Sequence, residues 1–238
     1  LQAICATPLE DGWELGKQAA YQTWSGWQIL AETIHRVTKS SFTAHISASV
    51  SQPAGMERTH IGVSKREYST LATTISPFYT STRSTLSPNE NLDSERSITQ
   101  CRPGSNTRAP ARDFGRFYEA LLGYRDAPLI SRQTLEHITR RHREGLFDRT
   151  FQHVIDLGLG FVLNSNRHGI DTVPYGYGPF ASDQAFGHSG AQCSCAFADP
   201  AHDLVVAWVV NGAPGEPRHQ KRARDINAAI YEDLGLAG

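Results

Sequence analysis

The sequence predicts an α+β fold: an antiparallel sheet flanked by helices, with a mostly helical subdomain. Three observations predict it. Helical periodicities fill the first part of the chain, strand-like runs joined by a short turn fill the second, and a last helical repeat closes it. We expect residues 1–150 to form the mostly helical part. Residues 151–238 are expected to supply the antiparallel strands and C-terminal helix of the same domain.

Taken in order, residues 1–20 read as loop, with Pro8, the Asp11-Gly12 turn and Gly16. Over residues 24–37, Trp27, Leu30, Ile34 and Val37 recur at helical spacing, and a second short helix is expected between Ser40 and Met56. Residues 76–108 are rich in Ser, Thr, Asn and Pro and are expected to form a long irregular loop. Pro110 opens an amphipathic helix with Phe114, Phe117, Tyr118, Leu121 and Leu122 on one face, stopped at Gly123. Ser131 reads as the N-cap of the next helix, with Ile130 and Leu135 as its hydrophobic staple. That helix is expected to run to about Arg143, its Arg140-Arg141-His142-Arg143 end solvated.

Beyond it, Leu157, Leu159, Phe161 and Leu163 alternate with Gly158, Gly160 and Val162, the period of a strand. Residues 165–184 read as Gly-rich irregular chain. The apolar runs Cys193-Ser194-Cys195-Ala196-Phe197-Ala198 and 204–210, joined through Asp199-Pro200-Ala201-His202-Asp203, read as a hairpin. Its second strand is apolar throughout, as expected for one covered on both faces. Pro217 begins a last helix with Ala223, Ile226, Ile230 and Leu234 on one face, packed on the sheet.

Composition excludes several function classes. The chain has 238 residues, a formal net charge of -1 and 20% charged residues, so no general affinity for nucleic acid or an anionic membrane is expected. No apolar run approaches the length of a bilayer span. The four cysteines, Cys5, Cys101, Cys193 and Cys195, lack the paired spacing of a structural zinc site. Cys193 and Cys195 are expected to face the same way, as small core residues or, with a histidine, as a metal site. The first residue is Leu1 and the only methionine Met56, as expected of a processed chain, a domain or a fragment, so the compartment stays undetermined.

The most informative stretch is Phe186-Gly187-His188-Ser189-Gly190. It sets a titratable ring, a hydroxyl and a bare backbone in a row at the head of a strand. With Asp199-Pro200 and the run to Asn211-Gly212, it resembles the third-motif strand and its neighbour in serine β-lactamases. The resemblance is to class C-like esterases and penicillin-binding-protein relatives, where the Lys-Thr-Gly triplet is often His-Ser-Gly or His-Thr-Gly. Other segments agree in order. Pro8 to Tyr21 followed by Trp27-Gln28-Ile29-Leu30-Ala31-Glu32 resembles the stretch of the catalytic tyrosine. Gln52-Pro53-Ala54-Gly55-Met56 is similar to the family's Pro-Leu-Gly-Met landmark. The Ala111–Leu122 helix and Leu157-Gly158-Leu159-Gly160-Phe161 resemble the helix after the active-site loop and the strand before the third motif.

The resemblance implies a β-lactamase/transpeptidase-like fold and acyl transfer through a serine ester, acting on a small-molecule ester or amide without a metal or organic cofactor. It implies that Tyr21 serves as general base and acid, as a phenolate near cations. His188 and Ser189 would orient substrate, Gly190 would make room for the acyl group, and the Ala191 backbone N–H would be one oxyanion donor. The triplet Tyr21-Gln22-Thr23 departs from the family's Tyr-x-Asn or Tyr-x-Ser, which favours an ester over a β-lactam. His188 in place of lysine points the same way. The family's Ser-x-x-Lys is missing: three residues before Lys17, Lys39, Lys65 and Lys221 stand Glu14, Arg36, Gly62 and Arg218. The expectation is therefore an N-terminally truncated chain, inactive by itself, with the nucleophile upstream. The alternative is a non-catalytic binding or regulatory module on the same scaffold.

Taken alone, Tyr21 reads as a packed aromatic before a helix, and His188-Ser189-Gly190 as a polar loop-to-strand junction. Glu32 and Asp113 are candidate acids that nothing in the sequence pairs. Gly158 and Gly160 form no phosphate loop, since no Lys-Ser/Thr follows.

Overall fold

A computed structural model describes residues 1–82, 85–125 and 128–238. In chain order the main elements are helix α1 (Ser25–Thr38), strands β1 (Tyr79–Thr82) and β2 (Thr85–Pro88), and helices α2 (Ala111–Leu122) and α3 (Arg132–Ile138). Strands β3 (Val162–Leu163), β4 (Phe186–Gly190), β5 (Ser194–Asp199), β6 (Leu204–Val209) and β7 (Gly212–Ala213) follow, then helix α4 (Glu216–Asp233).

The central sheet runs β6-β5-β4-β3, antiparallel throughout. Side chains alternate across it, so β5 splits its residues between two cores. Cys195 and Phe197 point to one side, where they pack with Val162, Tyr177, Val206 and Tyr231 of α4. Ala196 and Ala198 point to the other. Their small size admits Tyr118 and Leu121 of α2, backed by Phe114 and Phe117. The helix expected from Pro110 thus lies on one face of the sheet and the terminal helix on the other. The expected hairpin is β5–β6, turned through Pro200–His202 with Asp203 left-handed at φ 49°.

Several expectations are corrected. Residues 76–108 are not one irregular loop. β1 and β2 pair there as a hairpin, β7 adds to β1 in parallel, and short helices follow at Glu90–Asp93 and Glu95–Thr99. β2 is exposed along its length, so no apolar alternation marked it. Arg83 and Ser84, inside that expected loop, lie outside the described residues. The segment expected as a strand at 157–163 is mostly turn: Gly158 N–H donates to the Phe161 carbonyl, Gly160 takes φ 85°, and only Val162–Leu163 is strand.

Helix α3 has its Ser131 cap, which accepts from Thr134 N–H at 3.1 Å, but ends at Ile138. Of the arginines expected at a solvated helix end, Arg140 is exposed, but Arg141 and Arg143 turn inward. Arg141 meets the buried Asp156 at 3.2 Å, and Arg143 meets the buried Asp148 at 2.8 Å. β6 is an edge strand with only Val206 buried, and Val209 is exposed, so it is not covered on both faces. The inner face of α4 is His219, Ala223, Asn227 and Tyr231, and Leu234 lies outside it. Within the 1–20 stretch expected as loop, Gln2–Ala6 is helical. α1 forms as expected, yet Leu30 and Val37 are 47% and 76% exposed, leaving much of its apolar side in solvent. Among the described residues no helix is long and apolar enough to cross a membrane.

Candidate active site

Tyr21 lies just before α1, in a segment without a helix or strand of its own, and is tied down by distant chain. Its N–H donates to Asp148 Oδ1 at 3.1 Å, and its carbonyl accepts from Thr150 Oγ1 at 3.0 Å. The Phe151 ring packs against it, centroids 5.0 Å apart. The phenol is thereby aimed at β4: Tyr21 Oη stands 3.2 Å from His188 Nε2, across 167 residues of sequence. Two of the residues singled out in the sequence are therefore in direct contact.

The protonation of the pair follows from its geometry. His188 Nδ1 lies 2.8 Å from the Ser189 carbonyl, which can only accept, so that nitrogen carries the ring proton. Nε2 is then the acceptor and Tyr21 the donor. Burial pulls the His188 pKa below its ordinary value, against the pull of that carbonyl. Burial also raises the Tyr21 phenol, partly offset by a hydrogen bond from Trp27. Both directions favour the uncharged forms, a neutral phenol beside a neutral imidazole.

Ser189 and Gly190 complete β4, opposite Cys195 and Ser194. Burial pushes the Cys195 thiol pKa up to about 11, against the pull of the facing Ser189 hydroxyl. Cys195 is therefore an inert core thiol, while Cys193 lies half-buried outside the strand. Among the described residues no group of three His, Cys, Asp or Glu is placed to hold a metal ion. Ala191 is exposed at the turn leaving β4, and Thr23 is exposed beyond Tyr21. The next residue, Gln192, is held by Glu216 at 2.8 Å and by the Gly215 N–H at 2.8 Å, which fixes that turn to the start of α4.

Three neighbours of the pair gave no signal in the sequence: Phe151, Asp148 and Tyr175, whose ring lies 5.7 Å from that of Phe151. Their roles depend on contacts between remote segments, which no local pattern encodes. Of the two candidate acids, Glu32 pairs with Arg36 at 2.7 Å on the surface of α1. Asp113 is buried and accepts from Arg58 N–H and the Thr59 hydroxyl at 2.8 and 3.0 Å, an anchor for that loop remote from Tyr21 in its contacts.

Comparison with known proteins agrees with this architecture. A family model described as Beta-lactamase matches residues 1–230. Among solved structures, EstA from Arthrobacter nitroguajacolicus Rue61a superposes with a TM-score of 0.69 at 20% identity, over 93% of this chain and 63% of that one. A penicillin-binding protein homologue from Caulobacter crescentus gives 0.68 at 24% identity, over 96% and 64%. EstCE1, described as a hydrolase with promiscuous acyltransferase activity, gives 0.66 at 15% identity, over 90% and 57%. The chain spans less than two thirds of the length of these structures. No curated protein sequence matches it. Helices on both faces of an antiparallel sheet, the neighbours' shared fold and the match along nearly the whole chain together place the protein in the beta-lactamase family, with its β-lactamase/transpeptidase-like hydrolase fold.

Proposed function

We propose that the protein is a serine hydrolase of the β-lactamase-related family that cleaves an ester or amide through an acyl-enzyme. The observation that carries the reading is the contact between Tyr21 Oη and His188 Nε2. In this reading an attacking serine passes its proton to the Tyr21 oxygen as Tyr21 passes its own to His188. The serine Oγ bonds to the substrate carbonyl carbon, and one imidazolium results. The proton returns through Tyr21 to the leaving alcohol or amine as its bond to that carbon breaks, which restores the neutral pair. Water then attacks the serine ester by the same proton route, releasing the acid and freeing the serine. The Ser189 hydroxyl orients the substrate along β4, Gly190 leaves room for its acyl group, and the Ala191 N–H stabilises the oxyanion. An ester is favoured over a β-lactam because Thr23 offers a hydroxyl in place of an amide and His188 a neutral ring in place of a lysine.

The 238 residues contain no Ser-x-x-Lys, so in this reading the acylated serine comes from outside them and this stretch alone does not turn over substrate. The same fact favours a second reading, a binding or regulatory module on the scaffold. The test is Tyr21→Phe in the full-length protein. Ester turnover is expected to fall by about 10²–10⁴-fold. Turnover near the wild-type level would remove Tyr21 from the chemistry. A full-length sequence without an upstream Ser-x-x-Lys would favour the binding module.

A further inference from the structure

We propose that Asp148 is the residue that positions Tyr21 against His188. A single oxygen, Asp148 Oδ1, accepts three backbone N–H groups: Tyr21 at 3.1 Å, Thr150 at 2.8 Å and Phe151 at 3.0 Å. It thereby fixes both Tyr21 and the residue whose ring packs on it. The second oxygen faces the Arg143 guanidinium at 2.8 Å. The Asp148 side chain has no solvent exposure. The three N–H groups on Oδ1 and the charge of Arg143 near Oδ2 offset the lost water, while Oδ2 itself accepts no hydrogen bond from the described residues. The rest of the tie runs through the same segment. Ala19 and Asp148 form a bridge, Arg149 N–H donates to the Ala19 carbonyl at 2.8 Å, and the Thr150 hydroxyl donates to the Tyr21 carbonyl at 3.0 Å. The Tyr21 backbone, which no helix or strand of its own holds in place, takes its position from the 148–151 turn.

The catalytic weight of this role rests on the proton transfer proposed for Tyr21; the positional role does not. The experiment has two readouts in the full-length protein: the ¹³Cζ NMR signal of Tyr21, assigned with Tyr21→Phe, and ester kinetics. Asp148→Asn keeps an oxygen toward the three N–H groups but removes the charge that strengthens those bonds, and it sets an amide N–H₂ against the Arg143 guanidinium, which drives the side chain off its place. It is expected to shift the Tyr21 signal and to lower kcat by about 10²-fold with KM little changed, as for a reacting group misplaced by about an ångström. The control is Asp156→Asn, at an equally buried carboxylate held by Gly145, His168, Arg141 and Arg167. It is expected to lower Tm while leaving the Tyr21 signal in place. Should Asp148→Asn not fold, Thr150→Val removes one tie at the surface and is expected to shift the signal the same way by less. A Tyr21 signal in the folded variant that coincides with wild type overturns the proposal. A shifted signal together with undiminished turnover in Tyr21→Phe would sustain the positioning role and overturn the proposed function instead.

Discussion

Tyr21 and His188 meet as two uncharged groups, and this sets how the site responds to acid. In the unfolded chain the His188 ring takes up its proton near 6.5; in the folded protein burial holds that uptake to lower pH. Between the two values the unfolded state binds more protons, so stability rises with pH across that window and falls as the solution is acidified through it. His188→Gln removes this dependence. The wild-type-minus-variant difference in unfolding free energy, from urea titrations, is therefore expected to shrink as pH drops below 6.5. A difference that grows on acidification would mean that His188 is held as the cation. Under the proposed proton transfer, the acid limb of kcat/KM in the full-length protein is expected to lie below the usual histidine range, because that route needs a neutral imidazole as acceptor.

On the scale of elements, the two glycines of β4 are set apart by what surrounds them. A Cβ at Gly187 would fall on the Ala196 carbonyl and 2.6 Å from Phe197 Cα, backbone that cannot yield without prising β4 from β5. Gly187→Ala is expected to cost about 1–3 kcal/mol in urea unfolding, the usual range for an overpacked core. A Cβ at Gly190 would meet only the Ser194 hydroxyl and, at 3.4 Å, the Cys193 sulfur, side-chain ends that can move. Gly190→Ala is expected to leave Tm nearly unchanged and to lower kcat/KM for bulky acyl groups more than for acetyl. Equal loss for both would dissociate Gly190 from the acyl path. The same strand shows how much was legible in the sequence. α2 was readable from the period of its apolar face, and β5 and β6 from their apolar runs, although β6 buries only Val206. β1 and β2 were not, since Tyr79–Thr82 and Thr85–Pro88 bury no stripe and are ordered by pairing with each other and with β7. α3 was read too long because Arg141 and Arg143 look like a solvated end, while their partners Asp156 and Asp148 lie further along the chain. Tyr21 and His188, which motif order singled out, lie in contact; Asp148, 127 residues from Tyr21, left no local trace.

At the level of the whole molecule, a buried carboxylate joins the terminal helix to the sheet. Asp199, at the end of β5, accepts from Ser182 N–H at 2.8 Å, His202 at 2.9 Å and the Tyr231 hydroxyl of α4 at 2.6 Å, as well as from the Ser182 hydroxyl. Burial alone would raise its pKa, but the bonds from Ser182, Tyr231 and His202 outweigh burial and hold it below the ordinary value. Tyr231→Phe keeps the ring and removes one charge-assisted bond, for an expected loss of about 1.5–3 kcal/mol. Calorimetry showing no loss would mean the helix is held by its apolar contacts alone. The 167 residues between Tyr21 and His188 also bear on how the protein reaches this state. Closing a loop of that length costs about 3 kcal/mol more chain entropy than closing the five-residue step from Asp199 to Leu204 in the hairpin. The hairpin can form from neighbours; the phenol and the imidazole can meet only after most of the chain has found its place. During refolding, β-sheet circular dichroism is therefore expected to recover ahead of the Tyr21 environment, which makes that contact a late witness of complete folding.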